Sequence, residues 1–542
     1  MNDAVFEVAA NNANLYIGML VVYLGVMVAI GYYAHRKTKH AGEYYIGGRK
    51  IGHFLTLCGF CATWVSATSM IGGPGWLFRF GYNYLIFAPF AWFVGAAVIL
   101  IPIGYKIRRV PLNTVPELMY SRYNSRTLQL MMGIVLMIVF VLFSTIQMTG
   151  IGILMSSMLG IPFETGVIFV AVVVLYTAIL GFKSVILTDV LNFALIIVGV
   201  VIGAVLVLNM TGGLTAINQA AMHIDTHPMY FADGAGGFVP APATVPGSLL
   251  HPTAMSTFAP FFLFGVFIAN GIGGGTNAQY IIRAIAAKNN KVAIMMAGFA
   301  VLLMMIVYFL SAIIGMGARV IMPTLPVGTT QDWIYPLLCV NFFSPFIGGL
   351  IMVALCAGAI SSANTQILLV ATSAIYDVYK AKFNKELSGK KLVLSTRIAA
   401  LVAGGVAMYI VLDPPEAVVL LLAYISGLNA STVFAPIWLG LFWKGATKEG
   451  AIASMLIGGI SFFLWDYFDI NIATGVHPVL IGMGLAVLTM VVVSKNTKPT
   501  ELKYLLPYFP YLRQTASKEE LDEALAHERF DGAIGGKIQT TR

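Results

Sequence analysis

Runs of about 20 apolar residues recur along the chain from Tyr16 almost to Lys495. Each run is long enough to cross about 30 Å of hydrocarbon as an α-helix. With 58% hydrophobic and only 10% charged residues, the chain has more apolar surface than a soluble domain of this length needs. The sequence therefore predicts an all-α, polytopic membrane protein with thirteen transmembrane helices in one domain, residues 1–495. Their approximate centres are Val26, Phe60, Phe90, Leu136, Val172, Ile197, Phe264, Met304, Ala357, Val406, Phe434, Gly458 and Leu485.

The basic residues are distributed unevenly among the predicted loops. With thirteen spans and the N-terminus outside, 30 of the 32 Lys and Arg residues belong to inward-facing segments, and only Arg79 and Arg319 do not. Because Lys and Arg in loops set the orientation of membrane helices, we expect a multi-pass protein of the cell inner (plasma) membrane. Its N-terminus is expected outside and its C-terminus in the cytoplasm. The net charge of +9 is then a topology signal and does not indicate a nucleic-acid partner.

The segments outside the spans are short. The N-terminal MNDAVFEVAANN has no basic stretch, so we expect a retained first helix and not a signal peptide. The longest external connection, about 210–255, has no Lys or Arg and is predicted to be an irregular cap over the outer mouth. Residues 496–542 are expected to form a cytosolic tail, in which Ser517 and Glu520 make a capping box before a short helix. Cys58 and Cys61 lie in an apolar helix and are expected to be small core residues.

Asp189 is a carboxylate well inside an apolar span, SVILTDVLNFALIIVGVVIGAVLVL. A charge at the bilayer centre costs roughly 3 kcal/mol on insertion scales, so such a residue usually faces a water-filled path or a partner. This position indicates that the protein moves something charged. The alternative is that Asp189 lies near the helix end, reaches the interface and only fixes the register of the helix.

Two spans are interrupted by glycines and polar residues. The second contains Thr63, Ser66, Thr68 and Ser69 before GGPG, and the seventh contains ANGIGGGTN. An offset of five spans gives them opposite orientations, which predicts an inverted repeat of spans 2–6 and 7–11, about 52–210 and 257–467. Paired interrupted helices are the best sequence pointer to a transporter's binding site. The alternative is that the glycines only allow close helix packing.

A third polar cluster lies in the ninth span. Its sequence ISSANTQ includes Ser361, Ser362, Asn364, Thr365 and Gln366. A single hydroxyl can satisfy itself on the preceding helical turn, but adjacent hydroxyls that follow a glycine can present several oxygens to one small hard cation. We therefore expect a Na⁺ site in this region.

At these clusters the chain resembles the sodium:solute symporter family. The matching stretches, from roughly Thr63 to Ser454, are WVSATSMIGGPG, LTDVLNF, TNAQYIIRAIAAKN, AISSANTQ with the following IYDVYK, and GLFWKGATKEGAIAS. Within the family, SATSMIGGPG, GIPFETGVIFVAVVVLYTAILGFKSVILTD and DPPEAVVLLLAY are most similar to the sodium/pantothenate symporters.

The resemblance implies a ten-helix inverted-repeat core, of the amino-acid and sugar sodium symporter type, with one helix before it and two after. It also implies functional positions, which we carry over motif by motif. The implied sodium ligands are the carbonyls of Ala62, Val65 and Gly358 and the hydroxyls of Ser361 and Ser362. Asp189 falls at an acidic position associated with an ion exit path or a second sodium site. The implied substrate-binding residues are Trp64, Ser66, Thr68, Ser69, Asn270, Gly273 within the segment 271–275, and Asn277.

These observations predict a secondary active Na⁺ symporter that imports a small organic solute by alternating access. The resemblance to the sodium/pantothenate symporters implies a carboxylate such as pantothenate. A sugar is not expected, because Ala88 and Ala91 stand where the family's sugar carriers have polar groups. The alternatives are a Na⁺ symporter for another solute, such as a short monocarboxylate or an amino acid, or a membrane sensor with the same fold. The sequence has no phosphate-binding loop and no constellation of enzymatic residues at membrane depth, so we expect neither ATP as energy source nor an enzyme. The expected partners are the solute, Na⁺ as coupling ion and the lipid bilayer, with no organic cofactor and a monomer sufficient for transport.

Overall fold

The computed structural model describes residues 3–36, 44, 46–169, 181–232, 238–253, 258–380, 382–383, 389–412, 418–514, 517 and 519. Within these residues, eleven helices are long and apolar enough to cross a membrane, and one bent pair of helices forms a twelfth candidate. The eleven are Asn11–Ala34, Asn83–Ile107, Arg126–Leu159, Phe182–Thr211, Pro260–Ala286, Asn290–Ile321, Pro345–Lys380, Lys391–Val411, Val418–Phe442, Lys448–Tyr467 and Pro478–Lys495. They contain the predicted centres of spans 1, 3, 4, 6–11, 12 and 13, so the membrane class and the helical architecture follow the sequence prediction.

The predicted fifth span, centred on Val172, falls largely on residues 170–180, which lie outside the described part of the chain. A helix at Phe163–Ile168 precedes that gap. The count of thirteen therefore stays a prediction. We keep the numbering of spans 1–13 from the sequence.

Span 2 is the bent pair, with helices at His53–Trp64 and Thr68–Phe80 that differ in direction by 56°. The break is at Val65, whose backbone is extended with φ −77° and ψ 91°. Span 7 is also interrupted: a helix at Pro260–Ile268 is followed by a π-helical turn at Ala269–Gly273. Asn277 is then extended before a second helix at Ala278–Ala286. In span 2 the break lies among the predicted polar residues, but the glycines at 72–75 are helical. In span 7 the glycines at 271–275 are helical as well, and the break follows them at Thr276 and Asn277.

Burial separates central spans from peripheral ones. Span 9 has 83% of its most apolar window buried, against 22% for span 1 and 28% for span 10. A helix whose polar residues are buried on every side must satisfy them from its neighbours. Span 9, which contains the serine pair, is therefore the element around which the polar groups of the interior are arranged.

Shorter elements connect the spans on both sides. The connection after span 6 contains a helix at Leu214–Ala221 and antiparallel strands Tyr230–Ala232 and Phe238–Pro240, with Phe231 opposite Val239. It is thus more regular than the predicted cap. Other short helices are Gly47–Arg49, Glu117–Tyr123, Ser248–Leu250, Gln331–Trp333, Ile334–Phe342, Ile470–Thr474, Leu502–Leu505 and Pro510–Gln514.

The beginning of the predicted tail packs on the membrane domain. Lys106 Nζ donates to the carbonyls of Leu441 and Tyr508 at 2.6 and 3.2 Å, and the Tyr508 hydroxyl donates to Ser121 Oγ at 2.8 Å. These contacts join residues 502–514 to the ends of spans 3 and 11. The predicted helix after Ser517 lies outside the described residues.

Candidate sodium and substrate site

The break in span 2 lies directly against the middle of span 9. Ser362 Oγ donates a 2.9 Å hydrogen bond to the Thr63 carbonyl. A Cβ added to Gly358 would lie only 3.0 Å from the Val65 carbonyl oxygen, so a glycine is what lets the two helices approach this closely. Because the helix ends at Trp64, its last carbonyls run out of helical donors: that of Cys61 still accepts from the Val65 N–H, and that of Thr63 accepts from Ser362. The region therefore places backbone carbonyls, among them that of Ala62, beside hydroxyls.

Asp189 borders the same region through the other serine. Ser361 Oγ donates a 2.6 Å hydrogen bond to Asp189 Oδ1, and the Asp189 side chain is 0% exposed. The carboxylate is thus fully inside the protein and does not reach its surface.

The partner of Asp189 is Arg283. Its Nη2 lies 3.0 Å from Asp189 Oδ2, and this side chain is also 0% exposed. The same nitrogen donates to Thr365 Oγ1 at 3.0 Å and to Thr63 Oγ1. Nε and Nη1 of Arg283 have no hydrogen-bond partner among the described residues. A buried charge that lost this pairing would be costly, so the two residues depend on each other.

Arg283 corrects one step of the sequence analysis. The charge distribution assigned it to an inward-facing segment, but it lies within the second helix of span 7, at Ala278–Ala286. A hydropathy pattern places the end of a span at a basic residue. Arg283 nevertheless lies within the helix, because it is paired with Asp189. The remaining Lys and Arg residues that the charge distribution assigns to the inner side still outnumber those assigned to the outer side by a wide margin.

A cavity lies between the two helix breaks, and three of the predicted substrate residues, Trp64, Ser66 and Asn277, line it. The other lining residues are Trp92, Ala96, Leu100, Phe143, Gln147, Gly274, Gln279, Tyr280, Gln366, Leu422 and Ser426. All of these are uncharged. The cavity volume is about 30 Å³, enough for roughly two water molecules.

The helical segments that follow both breaks begin at this cavity. Gln147 Oε1 accepts a 2.9 Å hydrogen bond from the backbone N–H of Ala67, next to the start of the second half of span 2. In span 7, Asn277 Oδ1 accepts one of 3.0 Å from the N–H of Gln279. Since the N-terminus of a helix carries partial positive charge, two such ends face a cavity lined by amides and hydroxyls. This arrangement suits a small anionic or polar solute.

Four predicted substrate residues lie outside the cavity lining. Ser69 Oγ is hydrogen-bonded to the Tyr308 hydroxyl at 2.8 Å, and Asn270 Nδ2 donates to the Phe87 carbonyl at 2.9 Å. The Gly273 carbonyl accepts a 2.9 Å bond from Asn429 Nδ2. Thr68 is fully buried, and its Oγ1 has no hydrogen-bond partner among the described residues. In this conformation Ser69, Asn270 and Gly273 connect helices.

The glutamines of the cavity were missed by the sequence analysis as substrate residues. Gln366 Nε2 donates to Gln279 Oε1 at 3.2 Å, and Gln147 lies among hydroxyl-bearing residues in FSTIQMTG of span 4. This polar stretch within an apolar helix was the available signal for Gln147. Gln279 is part of the motif TNAQYIIR and Gln366 of the polar cluster, but neither position indicates which way the side chain faces.

Comparison with known proteins gives a consistent result along the chain. The model of the "Sodium:solute symporter family" matches residues 44–458. The sodium/pantothenate symporter of Escherichia coli (strain K12) is 28% identical over 486 residues, covering 87% of this chain and 95% of that protein. An osmoregulated proline transporter of Bacillus subtilis (strain 168) is 26% identical over 498 residues, covering 90% and 96%.

Two solved structures share the architecture. A Na⁺-coupled sialic acid symporter in a substrate-bound, outward-open state superposes with a TM-score of 0.71 at 19% identity, covering 89% of this chain and 98% of that one. A nucleobase-cation-symport-1 family transporter in a closed conformation gives a TM-score of 0.52 at 11% identity, covering 86% and 97%. At these identities the likeness shows the fold alone, which is the inverted-repeat fold of sodium-coupled symporters.

Proposed function

The chain belongs to the sodium:solute symporter family, and as a Na⁺-coupled solute transporter it is not an enzyme; we propose that its solute is a small carboxylate such as pantothenate. The observation that carries this proposal is the uncharged cavity at the two helix breaks, directly beside the carbonyls and hydroxyls of spans 2 and 9. The residues that line the cavity would bind the solute, and the carbonyls and hydroxyls of spans 2 and 9 would bind the coupling ion.

We assign Na⁺ to the carbonyls of Ala62, Val65 and Gly358 with the hydroxyls of Ser361 and Ser362. The close approach of Gly358 to the Val65 carbonyl, 3.0 Å from an added Cβ, supports the assignment. A set of neutral oxygens suits an ion that must be released in every cycle. In the present conformation Ser362 donates to the Thr63 carbonyl, so ion binding would require this hydroxyl to turn.

The proposed carboxylate is supported by the chemistry of the cavity. No described lining residue carries a charge, so a carboxylate would be held by amide N–H groups, hydroxyls and the helix N-termini at Ala67 and Ala278. Pantothenate, proline and sialic acid, which the relatives' names mention, all carry a carboxylate group. Trp64, Ser66, Asn277, Gln147 and Gln279 are the residues that we propose contact it.

Energetics give Asp189 a role with an anionic solute. A Na⁺ ion crossing about 100 mV gains about 2.3 kcal/mol, and a tenfold gradient adds about 1.4 kcal/mol. For a monoanion carried with one Na⁺ the electrical contribution cancels, which leaves only about tenfold accumulation. A second Na⁺ would restore the electrical contribution. We propose that Asp189, next to Ser361, serves this second ion or its exit path, and that Arg283 neutralises the carboxylate when the ion is absent.

We further propose that the protein lies in the cell inner (plasma) membrane with its N-terminus outside and its C-terminus in the cytoplasm. The excess of Lys and Arg on one side supports this orientation. The ion and the solute would then both move inwards, down the sodium gradient.

The test is uptake by the purified protein in proteoliposomes. Labelled pantothenate, proline, a short monocarboxylate and a sugar are compared with and without an inward Na⁺ gradient, with choline replacing Na⁺. We expect Na⁺-dependent accumulation of a carboxylate and none of the sugar. Sugar transport, or binding of the carboxylates without any transport as in a sensor, would contradict the proposal. Transport of proline and not of pantothenate would support a carboxylate as the solute but would show that the solute is not pantothenate.

A further inference from the structure

The chain just after span 13 forms a segment that packs against the ends of several spans. This tail segment, residues 502–514, contains a short helix at Leu502–Leu505 and a 3₁₀ turn at Pro510–Gln514. Leu506, Tyr508 and Phe509, between these two elements, are only 2%, 3% and 2% exposed. Buried apolar side chains of this size are typical of a protein core. The segment is therefore docked on the membrane domain and is not a solvent-exposed tail.

Phe509 lies between two cations that belong to different elements. Lys106 Nζ, at the end of span 3, is 4.5 Å from the centre of the Phe509 ring. Arg122 Cζ, on the helix Glu117–Tyr123 that precedes span 4, is 5.5 Å from the same centre. A cation within about 6 Å of a ring centre is attracted to the π-electrons, most strongly where water is excluded. Arg122 is 1% exposed, so one aromatic ring of the tail segment connects span 3 with the helix before span 4.

The same two cations also bind the end of span 11. Lys106 Nζ donates to the Leu441 carbonyl at 2.6 Å, and Arg122 Nε donates to the Gly440 carbonyl at 2.6 Å. Lys106 Nζ donates in addition to the Tyr508 carbonyl of the tail segment at 3.2 Å. The tail segment therefore completes a set of contacts that joins the ends of spans 3 and 11 on one side of the membrane.

The two spans joined in this way both line the central cavity. Leu100 of span 3 and Ser426 of span 11 belong to its lining. Lys106 is six residues after Leu100, about 9 Å along an α-helix, so the contacts lie just beyond the cavity on the side of the tail segment. An opening between spans 3 and 11 towards that side would have to break them.

Release of the tail segment would leave neither cation without an acceptor. Lys106 would keep the Leu441 carbonyl, and Arg122 would keep that of Gly440. Release therefore avoids the cost of an unpaired buried charge. It would, however, admit water to these bonds between charges and carbonyls, which are stronger where water is excluded. The contacts between the ends of spans 3 and 11 are thus stronger with the segment docked than without it.

We propose that the tail segment is a latch, which keeps the central cavity closed on its own side of the membrane and is released when the cavity opens there. Phe509 is its central residue, because its ring contacts both cations. The residues assigned to Na⁺ and to the solute lie elsewhere, so the latch acts on the opening of the cavity and not on binding. The inference goes beyond the proposed function, since it holds for any solute and for either orientation of the chain in the membrane.

The experiment measures how fast a single cysteine in the cavity, Leu100→Cys, reacts with a membrane-impermeant maleimide added to sealed membrane vesicles of either orientation. The native cysteines are buried and Leu100 is 2% exposed, so we expect slow labelling while the latch is docked. The tail side is the side on which Asn496→Cys is labelled. On this side Phe509→Ala should raise the labelling rate of Leu100→Cys about tenfold, the loss expected from two cation–π contacts. On the opposite side the rate should not rise.

Tyr511→Ala is the matched control, because it removes a ring that is 53% exposed and, within the described residues, lies over neither Lys106 nor Arg122. Its labelling rate should equal that of Leu100→Cys alone. Equal acceleration in both variants, no acceleration in Phe509→Ala, or acceleration on both sides, as general loosening would give, would overturn the inference. If Phe509→Ala does not fold, Phe509→Leu takes its place, since it fills similar space without an aromatic face. A smaller increase is expected there, and an unchanged rate would also overturn the inference.

Discussion

Ser361 and Ser362 are adjacent in sequence but contact different groups. Ser362 donates to a main-chain carbonyl of span 2, and Ser361 donates to the Asp189 carboxylate. Adjacent residues of a helix point about 100° apart, so the pair joins two neighbouring sites. This geometry makes the two hydroxyls separable by mutation.

We expect Ser361→Ala with Ser362→Ala to abolish Na⁺-dependent uptake without unfolding the protein, because the assigned site loses both of its hydroxyl ligands. Each single variant should raise the Na⁺ concentration for half-maximal uptake. Ser361→Ala should also change the charge moved per solute, because Ser361 is bonded to Asp189. Ser157→Ala is the control: this buried serine donates only to the Ile153 carbonyl of its own helix. Unchanged Na⁺ dependence in the double variant would refute the assigned site.

The Asp189–Arg283 pair gives a prediction for stability. Asp189→Asn leaves a buried guanidinium without its counter-ion, and Arg283→Gln leaves a buried carboxylate, each of which should cost about 3–5 kcal/mol. The double variant removes both charges, so it should be more stable than either single variant. Thermal unfolding midpoints in detergent measure this, with the exposed pair Lys448–Glu449 as control, where a loss below about 1 kcal/mol is expected. If the double variant lost as much stability as the two single variants together, Asp189 and Arg283 would not depend on each other.

The same double variant tests the second ion. If Asp189 serves a second Na⁺, its removal lowers the charge moved per solute, and accumulation of an anion falls because one ion's driving force of about 3.7 kcal/mol is lost. The reversal potential in proteoliposomes measures the charge-to-solute ratio. If the double variant is well folded and keeps the wild-type charge-to-solute ratio, Asp189 has no role in coupling.

Among the helices, the interrupted spans were predictable and their side-chain directions were not. Glycine and polar residues interrupt the apolar runs of spans 2 and 7, and both helices break at polar residues near the glycines while the glycines themselves stay helical. Hydropathy did not indicate that Arg283 lies inside span 7, because the residue that neutralises it is 94 positions earlier in the chain. Likewise Ser69 and Asn270 bond to neighbouring helices, and only their three-dimensional neighbours decide whether they face a cavity.

Asp332 links the second half of span 2 to the start of span 11. Its Oδ2 accepts a 3.1 Å hydrogen bond from the Val418 N–H, and a Cβ on Gly75 would lie 3.1 Å from its Oδ1. Oδ1 has no hydrogen-bond partner within the described residues. Burial raises the pKa of Asp332 from 3.8 to about 6, although the Val418 N–H and Arg79 act in the opposite direction.

This pKa predicts how stability depends on pH. A raised pKa means that the folded protein binds the proton more tightly than the unfolded chain, so the contribution is complete below about pH 4 and is lost as the pH rises through about 6. The difference corresponds to about 3 kcal/mol. The apparent unfolding midpoint of the wild type should therefore decrease more between pH 4.5 and 7.5 than that of Asp332→Asn. Parallel pH profiles would show that Asp332 does not titrate in this range.

The molecule as a whole has a nearly closed central cavity. Its volume of about 30 Å³ is well below the several hundred Å³ of typical ligand pockets. A carboxylate of the proposed size can enter only if spans move apart on one side. Spans 2 and 7 are suited to this movement, since each is already interrupted at the cavity.

The orientation of the whole chain decides which ends of the spans face the cytoplasm, and labelling can determine it. The four native cysteines are buried, so the wild type should react little with a membrane-impermeant maleimide. Single cysteines replace two exposed residues: Asp225→Cys after span 6 and Asn496→Cys after span 13. In intact cells we expect labelling of the first variant alone, and of both after permeabilisation, because Lys and Arg hold the inner loops in the cytoplasm. Labelling of Asn496→Cys in intact cells would reverse the proposed topology.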